Sequence, residues 1–338
     1  MAEAALVGLG QGLARQGKTL ADIAGSDAAL AKPLQAKRDE ALSIAGQADA
    51  GDTSRTLAIE LIGVLPDAAK ALVMVAQQEA PLPVRQRAIA TLARQADLEP
   101  WKELLATFSS QSPPLRQSIL DGVLSNAART GLLLDLMQAG QIKPTELDVT
   151  QQNRLLATSD AEMRKRATAI LGNSIGEDRK KALADYQPVL AMMGDARKGQ
   201  AVFAKNCSAC HKIGSVGVNV APDISDSRTK TPAQLLGDIL QPNRAIDANY
   251  IAYTLVTTDG ITASGILTTE TSTSITLKMQ NEKVMTVPRS EIEVLKSTGV
   301  SLMPEGLERN IPPAEMADLI AFIKNWRYLT GEIPGLGK

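Results

Sequence analysis

The sequence predicts a mainly α chain, with a long run of stacked helical pairs followed by a small helical domain that carries a β module. Three observations lead there. From the start to about residue 190, Gly and Pro divide the chain into helical segments of about 10 to 18 residues. From about residue 250 to 296 the composition shifts to Thr, Val and Ile with two-residue alternation, the strand period. The helical period then returns in Ala314 to Trp326. Apolar residues make up 44% of the chain and aromatic ones only 3%. Its cores are therefore built from Ala, Leu, Ile and Val, which favours helix packing.

In the first stretch the breaks fall at Gly51-Asp52, Pro66, Pro81 to Pro83, Pro100, Pro113-Pro114, Gly140, Pro144 and Gly172. Arg55, Arg85, Arg116 and Arg164 recur there, each with a small or apolar residue three positions on and an aliphatic one seven on. The followers are Ala58 and Ile62, Ala88 and Leu92, Ile119 and Val123, Ala167 and Leu171. Positions i+3 and i+7 share a helix face, so each unit offers an apolar stripe that only a neighbouring unit covers. With apolar-Arg pairs such as Val84-Arg85 opening the second helix, residues 1–190 resemble HEAT repeats, which implies an N-terminal α-solenoid. The repeat spacing is irregular, and an unrelated helical bundle is the alternative.

Asp195 to Asn206 reads as a short helix with an acidic N-cap and with Gly199 and Phe203 on one face. It leads into Cys207-Ser208-Ala209-Cys210-His211, which holds both cysteines and the only histidine of the chain. This is the attachment pattern of one covalent haem c: two thiols form thioethers to the vinyl groups and the next imidazole is the proximal iron ligand. Random placement gives the arrangement roughly once in fifty thousand sequences, so coincidence is a poor explanation. A thioredoxin-like dithiol needs a βαβ setting that is not visible here, and a zinc site lacks further Cys or His to complete it. A purely structural disulfide leaves the position of His211 unexplained.

With no second histidine, the sixth ligand is expected to be a methionine thioether. Met303 stands out among ten methionines because it sits in Ser301-Leu302-Met303-Pro304-Glu305-Gly306-Leu307, a stiff loop ahead of the last helix. That helix turns Met316, Leu319, Ile320 and Ile323 to one side and offers Leu319 and Phe322 to the Gly199/Phe203 face. Asp259-Gly260 between alternating runs signals a hairpin with a tight primed turn, and Tyr250 to Leu295 is expected to hold four or five short strands. Thr231-Pro232-Ala233-Gln234 reads as a capped helix start.

Residues 195–329 resemble the haem-binding domain family of Planctomycetes and Verrucomicrobia. The resemblance rests on the C-x-x-C-H motif, Tyr250 and Tyr253, Thr258-Asp259-Gly260, Gly265, Met303-Pro304, Gly306-Leu307 and Ala317-Asp318-Leu319-Ile320. It implies a class I-like cytochrome c domain over 191–338, with a β insertion at about 250–296. Where the family has Gly-Pro-x-Leu, this chain has Ala221-Pro222-Asp223-Ile224. The proline carbonyl, carried over to Pro222, is expected to hold the proximal imidazole. Members often follow a propeller resembling sugar or sorbosone dehydrogenases, which implies such a dehydrogenase as electron donor and a further acceptor downstream.

The expected function is electron transfer through His211/Met303-ligated haem, with no catalytic residues. The alternatives are a haem enzyme or gas sensor with an open sixth position, and a helical-repeat scaffold protein. No Ser-His-Asp set, P-loop or dinucleotide fingerprint occurs. From Ala191 onward 15 basic residues balance 15 acidic ones, so no nucleic-acid partner is expected. No apolar run is long enough to cross a bilayer. Haem c is attached outside the energy-transducing membrane, so a periplasmic or otherwise extracytoplasmic location is expected, with the sequence read as a mature chain or an excised segment.

Overall fold

The computed structural model describes residues 2–329 apart from 26, 48–49, 79 and 173–174. Among the described residues there are 15 α-helices and seven strands. They form two compact units, one of residues up to Leu136 with Glu270–Ser274, the other of Met137–Thr269 and residues from Ile275 onward. Residues 137–190 are thus helical by sequence and grouped with the second unit by contacts.

The first unit holds α1 (Ala2–Ala14), α2 (Leu20–Ala24), α3 (Ala28–Gly46), α4 (Asp52–Ile62), α5 (Ala68–Gln77), α6 (Leu82–Leu92), α7 (Glu99–Ala106), α8 (Pro113–Leu124) and most of α9 (Ala127–Gln138). Part of the Gly and Pro punctuation marks helix starts, while Gly140 follows the end of α9 and Gly172 closes the later helix Ala161–Gly172. Gly51 caps α4, while Pro83, Pro100 and Pro113 lie in the first turns of α6, α7 and α8, where a missing N–H costs no intrahelical bond. Helices α3 and α4 pack together, as do α5 and α6, and α6 touches both α4 and α8. The repeated stripe is what they bury: Ala58, Ile62, Ala88, Leu92, Ile119 and Val123 all lie inside.

Arg55, Arg85 and Arg116 are buried beside that stripe. Arg55 donates to the Gln47 carbonyl at the end of α3, and Arg85 Nε donates to the Ala76 carbonyl in the last turn of α5 at 2.8 Å. Each guanidinium thereby serves a carbonyl left over at a helix C-terminus and sits at the negative end of that helix. Arg116 lies 4.5 Å from the centre of the Phe108 ring, a stacking that a lysine does not reproduce.

In the second unit, α10 (Val149–Leu156), α11 (Ala161–Gly172) and α12 (Glu177–Asp185) precede α13 (Ala196–Asn206), α14 (Pro232–Leu240) and α15 (Pro313–Asn325). The fourth bearer of the arginine pattern departs from the other three. Arg164 in α11 is exposed and Leu171 only half-buried, although Ala167 is inside.

Strands β1 (Lys212–Ile213) and β2 (Val216–Gly217) form a small hairpin; β3 (Ile251–Thr257), β4 (Thr262–Glu270), β5 (Ser274–Lys278), β6 (Val284–Pro288) and β7 (Ile292–Ser301) form a sheet in the order β6-β5-β4-β3-β7. β3 is antiparallel to both β4 and β7. Its first three residues are all buried, as befits a strand flanked on both edges, whereas β5 keeps strict alternation with Ile275 and Leu277 inside.

The β3–β4 turn is wider than the two-residue primed turn expected from Asp259-Gly260. Gly260 N–H donates to the Thr257 carbonyl, and Gly260 alone in that turn is left-handed, with φ of 88°. The connection is a type I-like turn closed by a left-handed glycine, the usual solution for a slightly longer hairpin loop.

The crossing of α13 and α15 builds the core that carries the site. Asp195 caps α13 by accepting from Arg197 and Lys198 N–H groups, and its own N–H donates to Asp318 Oδ1 of α15 at 2.6 Å. Phe203 and Phe322 meet with ring centres 5.5 Å apart. Gly199 is required at this crossing because a Cβ there falls 1.9 Å from the Asp318 carbonyl oxygen and 2.8 Å from Phe322 Cβ. Gly199→Ala is therefore expected to destabilise the protein by about 1–3 kcal/mol through overpacking, read as a lower urea midpoint. An unchanged midpoint would mean that the helices cross more loosely than this. Among the described residues no helix is long and apolar enough to cross a membrane.

Candidate haem site

The Cys-Ser-Ala-Cys-His segment leaves the end of α13 as a tight turn. Cys210 and His211 N–H groups both donate to the Cys207 carbonyl, at 3.1 and 2.9 Å. The following segment folds back over it: Val218 N–H donates to Ser208, and Val220 and Ala221 N–H groups donate to Cys210. Gly217, with φ of 83°, makes this return tight, since a Cβ there lies 2.1 Å from the His211 carbonyl oxygen.

The return brings Pro222 to the imidazole. His211 Nδ1 is 2.8 Å from the Pro222 carbonyl oxygen. A carbonyl only accepts, so Nδ1 carries the proton and Nε2 keeps its lone pair. Burial lowers the His211 pKa, partly offset by this bond, so the ring is neutral at pH 7. The Pro222 loop is itself fixed. Ser225 Oγ donates to Asp223 at 2.5 Å and accepts from Gly214 N–H at 2.9 Å, while Trp326 Nε1 donates to the Ser225 carbonyl. Ala221, where the resembling family has glycine, is buried with φ outside the left-handed range, so alanine fits without strain.

Cys207, His211, Pro222 and Met303 line one cavity of about 330 Å³. Its walls are largely apolar, with Leu235, Ile239, Ile246, Ile266, Leu319 and Ile323 among them. Cys210 is half-buried and not among the lining residues, and neither thiol is in a disulfide. Burial, with a smaller push from Cys210, raises the Cys207 thiol to about 12, and burial raises Cys210 as well. Two protonated thiols, a neutral imidazole, a thioether and apolar walls are a donor set that fits a covalently held haem.

The β module takes part in this site, a role that the sequence left open between shielding and docking. Ile266 of β4, Ser301 at the end of β7 and Tyr250 just before β3 line the cavity. The turn between β5 and β6 also reaches the attachment segment, with Asn281 N–H donating to the Ala209 carbonyl at 3.0 Å and Lys278 Nζ donating to the Asn219 carbonyl. Asn281 and Glu282 both adopt φ of 57°, a left-handed conformation that asparagine tolerates better than glutamate.

Sequence reasoning missed the residues that fix the Met303 loop. Asn243, just after α14, accepts from Ser301 N–H and donates to Glu305 Oε1, both at 2.8 Å. Arg179 of α12 makes a fork on Glu308 at 2.8 and 3.1 Å. The Tyr186 hydroxyl lies 2.8 and 2.9 Å from the Glu308 and Ile311 carbonyl oxygens and donates between them. A Pro-Asn pair and an isolated Arg or Tyr in a helical run carry no local signal of such partners.

Burial acts to raise the Glu308 pKa, but the bond and charge of Arg179 outweigh it and hold the carboxyl below its ordinary value. A depressed carboxylate adds stability above its unfolded pKa, and that contribution disappears as pH falls through the folded pKa. Acidification from about pH 5 to pH 3 is therefore expected to lower the urea midpoint more in the native protein than in Glu308→Gln. Equal losses in the two proteins would show that other carboxylates carry the acid sensitivity.

No curated protein matches the chain. Residues 196–327 match the family model of cytochrome c, so this segment is a haem-binding electron-transfer domain and the group that its cysteine pair carries is covalently attached haem c.

Proposed function

We propose that the chain is a one-electron relay whose iron is held by His211 on one side and Met303 on the other. The observation that supports this reading most is that both side chains line the same apolar cavity as Cys207, with His211 Nδ1 already committed to Pro222. Bound there, haem c supplies an Fe(II)/Fe(III) couple whose potential a methionine ligand raises.

The chain's own residues set the conditions. Cys207 and Cys210 tether the group. The Pro222 carbonyl orients the imidazole and strengthens its donation through Nε2. The aliphatic walls exclude water and keep the dielectric low. With His211 and Met303 both holding the iron, no position would remain for a substrate, so we assign no catalytic residues.

In this reading the haem module runs over 191–338 and the preceding residues form a HEAT-like solenoid. Its electron donor is a dehydrogenase of the sugar or alcohol class, as a partner or on the same polypeptide, and an acceptor follows downstream. The location is extracytoplasmic, where haem c is attached. The test is spectroscopic, on protein matured in an export-competent host. The pyridine haemochrome is expected to show both vinyl groups saturated, and the ferrous protein is expected to be low-spin and to bind no carbon monoxide. Carbon monoxide binding by the intact protein would replace the relay with a gas sensor or haem enzyme.

A further inference from the structure

We infer that Arg179 and Tyr186, which precede the segment matching cytochrome c, are positioning residues that hold the Met303 loop closed and so control the sixth ligand of the haem. The inference rests on the proposed ligation by Met303. It is argued from where the loop is anchored.

Residues 298–311 are gripped from the helical side at two places that bracket Met303. Ahead of it, Lys143 Nζ donates to the Thr298 carbonyl at 2.8 Å and Thr145 donates to the Gly299 carbonyl. Gly299 has φ of 65°, and a Cβ there falls 2.9 Å from the Lys143 side chain, so the strand end and the 143–146 turn fit closely. Behind Met303, Glu308 takes both arms of the Arg179 fork, and its carbonyl, with that of Ile311, receives the Tyr186 hydroxyl. The ion pair is enclosed, with the two side chains only 11% and 13% exposed. Between the two grips, Asn243 ties Ser301 to Glu305.

Arg179 is itself held in place, because Gln241 donates to its backbone carbonyl at 3.3 Å. Gln241 closes α14, the helix whose Leu235 and Ile239 wall the cavity. The brace therefore runs from one wall of the cavity to the loop that carries the sulfur. Methionine is a weak donor on a short loop, and its occupancy of the iron depends on how much the closed loop is favoured over the open one. Charge-assisted fork bonds are among the stronger stabilisers of a partly buried loop. By contrast, the tether through Cys207 and Cys210 and the His211–Pro222 bond do not involve these residues.

The test compares Arg179→Ala, Tyr186→Phe and Met303→Ala with the native holoprotein, each with its full covalent haem content verified. Carbon monoxide titration of the ferrous form and the midpoint potential are the readouts. Arg179→Ala is expected to bind carbon monoxide over a titration in which the native protein binds none, the effect of losing bonds to a charged group. Its potential is expected to fall part of the way toward that of Met303→Ala. Arg179→Lys restores charge without the fork and is expected to recover part of both changes. Tyr186→Phe, which removes one hydroxyl and no bulk, is expected to shift both readouts in the same direction by less, and this keeps the inference exposed should Arg179→Ala fold poorly. If Met303→Ala changes the readouts while Arg179→Ala and Tyr186→Phe do not, the brace is overturned and the ligation stands. If Met303→Ala leaves both readouts unchanged, the ligation and the inference fall together.

Discussion

Replacing Cys207 and Cys210 together by serine is expected to give a polypeptide that retains no haem through denaturation and acid-acetone extraction, whereas the native chain stays coloured. The chain has two cysteines, and a thioether needs a thiol, so no other side chain substitutes. The change at the atoms is small, because serine is close in size and the turn is made by backbone bonds from Cys210 and His211 to the Cys207 carbonyl. The consequence for the domain is large. In the proposed reading haem fills a cavity whose walls include Leu235, Leu319 and Ile323, and the same residues belong to the hydrophobic core around Phe203 and Phe322. Left empty, that cavity exposes apolar surface or collapses, which destabilises by several kcal/mol at the usual cost per unit of cavity volume. Loss of covalent colour with a strongly lowered Tm is the expected pair of observations. The single variants should each keep one thioether and show a pyridine haemochrome band displaced from that of the native protein. A double variant that stays coloured after extraction would refute covalent attachment at these residues.

The site was legible in the sequence to the extent that its chemistry is local. Cys207, Cys210 and His211 are neighbours in the chain, so spacing alone identifies them. Gly199 and Phe203 are one helical turn apart, so the 3.6-residue period places them on one face. The arginine pattern was also visible, but its physical reason was not. The sequence shows Arg55 and Arg85 opening helices, and only the fold reveals that each serves a carbonyl at the end of the helix before it.

What could not be read depends on contacts far apart in the chain. The pairing of β3 with β7 spans the whole β module, and alternation in each strand says nothing of which strand lies beside which. Asn243, Arg179 and Tyr186 meet the Met303 loop through side-chain bonds that no motif encodes, and Arg179 and Tyr186 lie in the stretch read from the sequence as helical repeats. Two conformational details went the same way. Asn281 and Glu282 adopt left-handed φ without being glycine, and Ala221 accommodates a loop where glycine is usual because its own φ never enters that region.

Met303→Ala is expected to retain covalent haem, lower the midpoint potential and gain carbon monoxide binding in the ferrous state. Retention follows because His211 and the two cysteines are untouched and the Pro222 bond still orients the ring. The fall in potential follows because the thioether favours the reduced metal. Removing it is expected to shift the midpoint by on the order of 0.1 V or more, a modest part of the roughly 0.8 V over which axial ligands set haem potentials. The gain of carbon monoxide binding follows because alanine has no donor atom and leaves a position open within an apolar cavity. Met316 is the internal control. It is wholly buried in the core with Phe203 and Phe322, so Met316→Leu, a swap of similar volume, is expected to cost less than about 1.5 kcal/mol of stability and to leave both redox readouts where they were. If Met303→Ala and Met316→Leu behave alike, with unchanged potential and no carbon monoxide adduct, the sulfur of Met303 is not on the iron and the relay needs another sixth ligand.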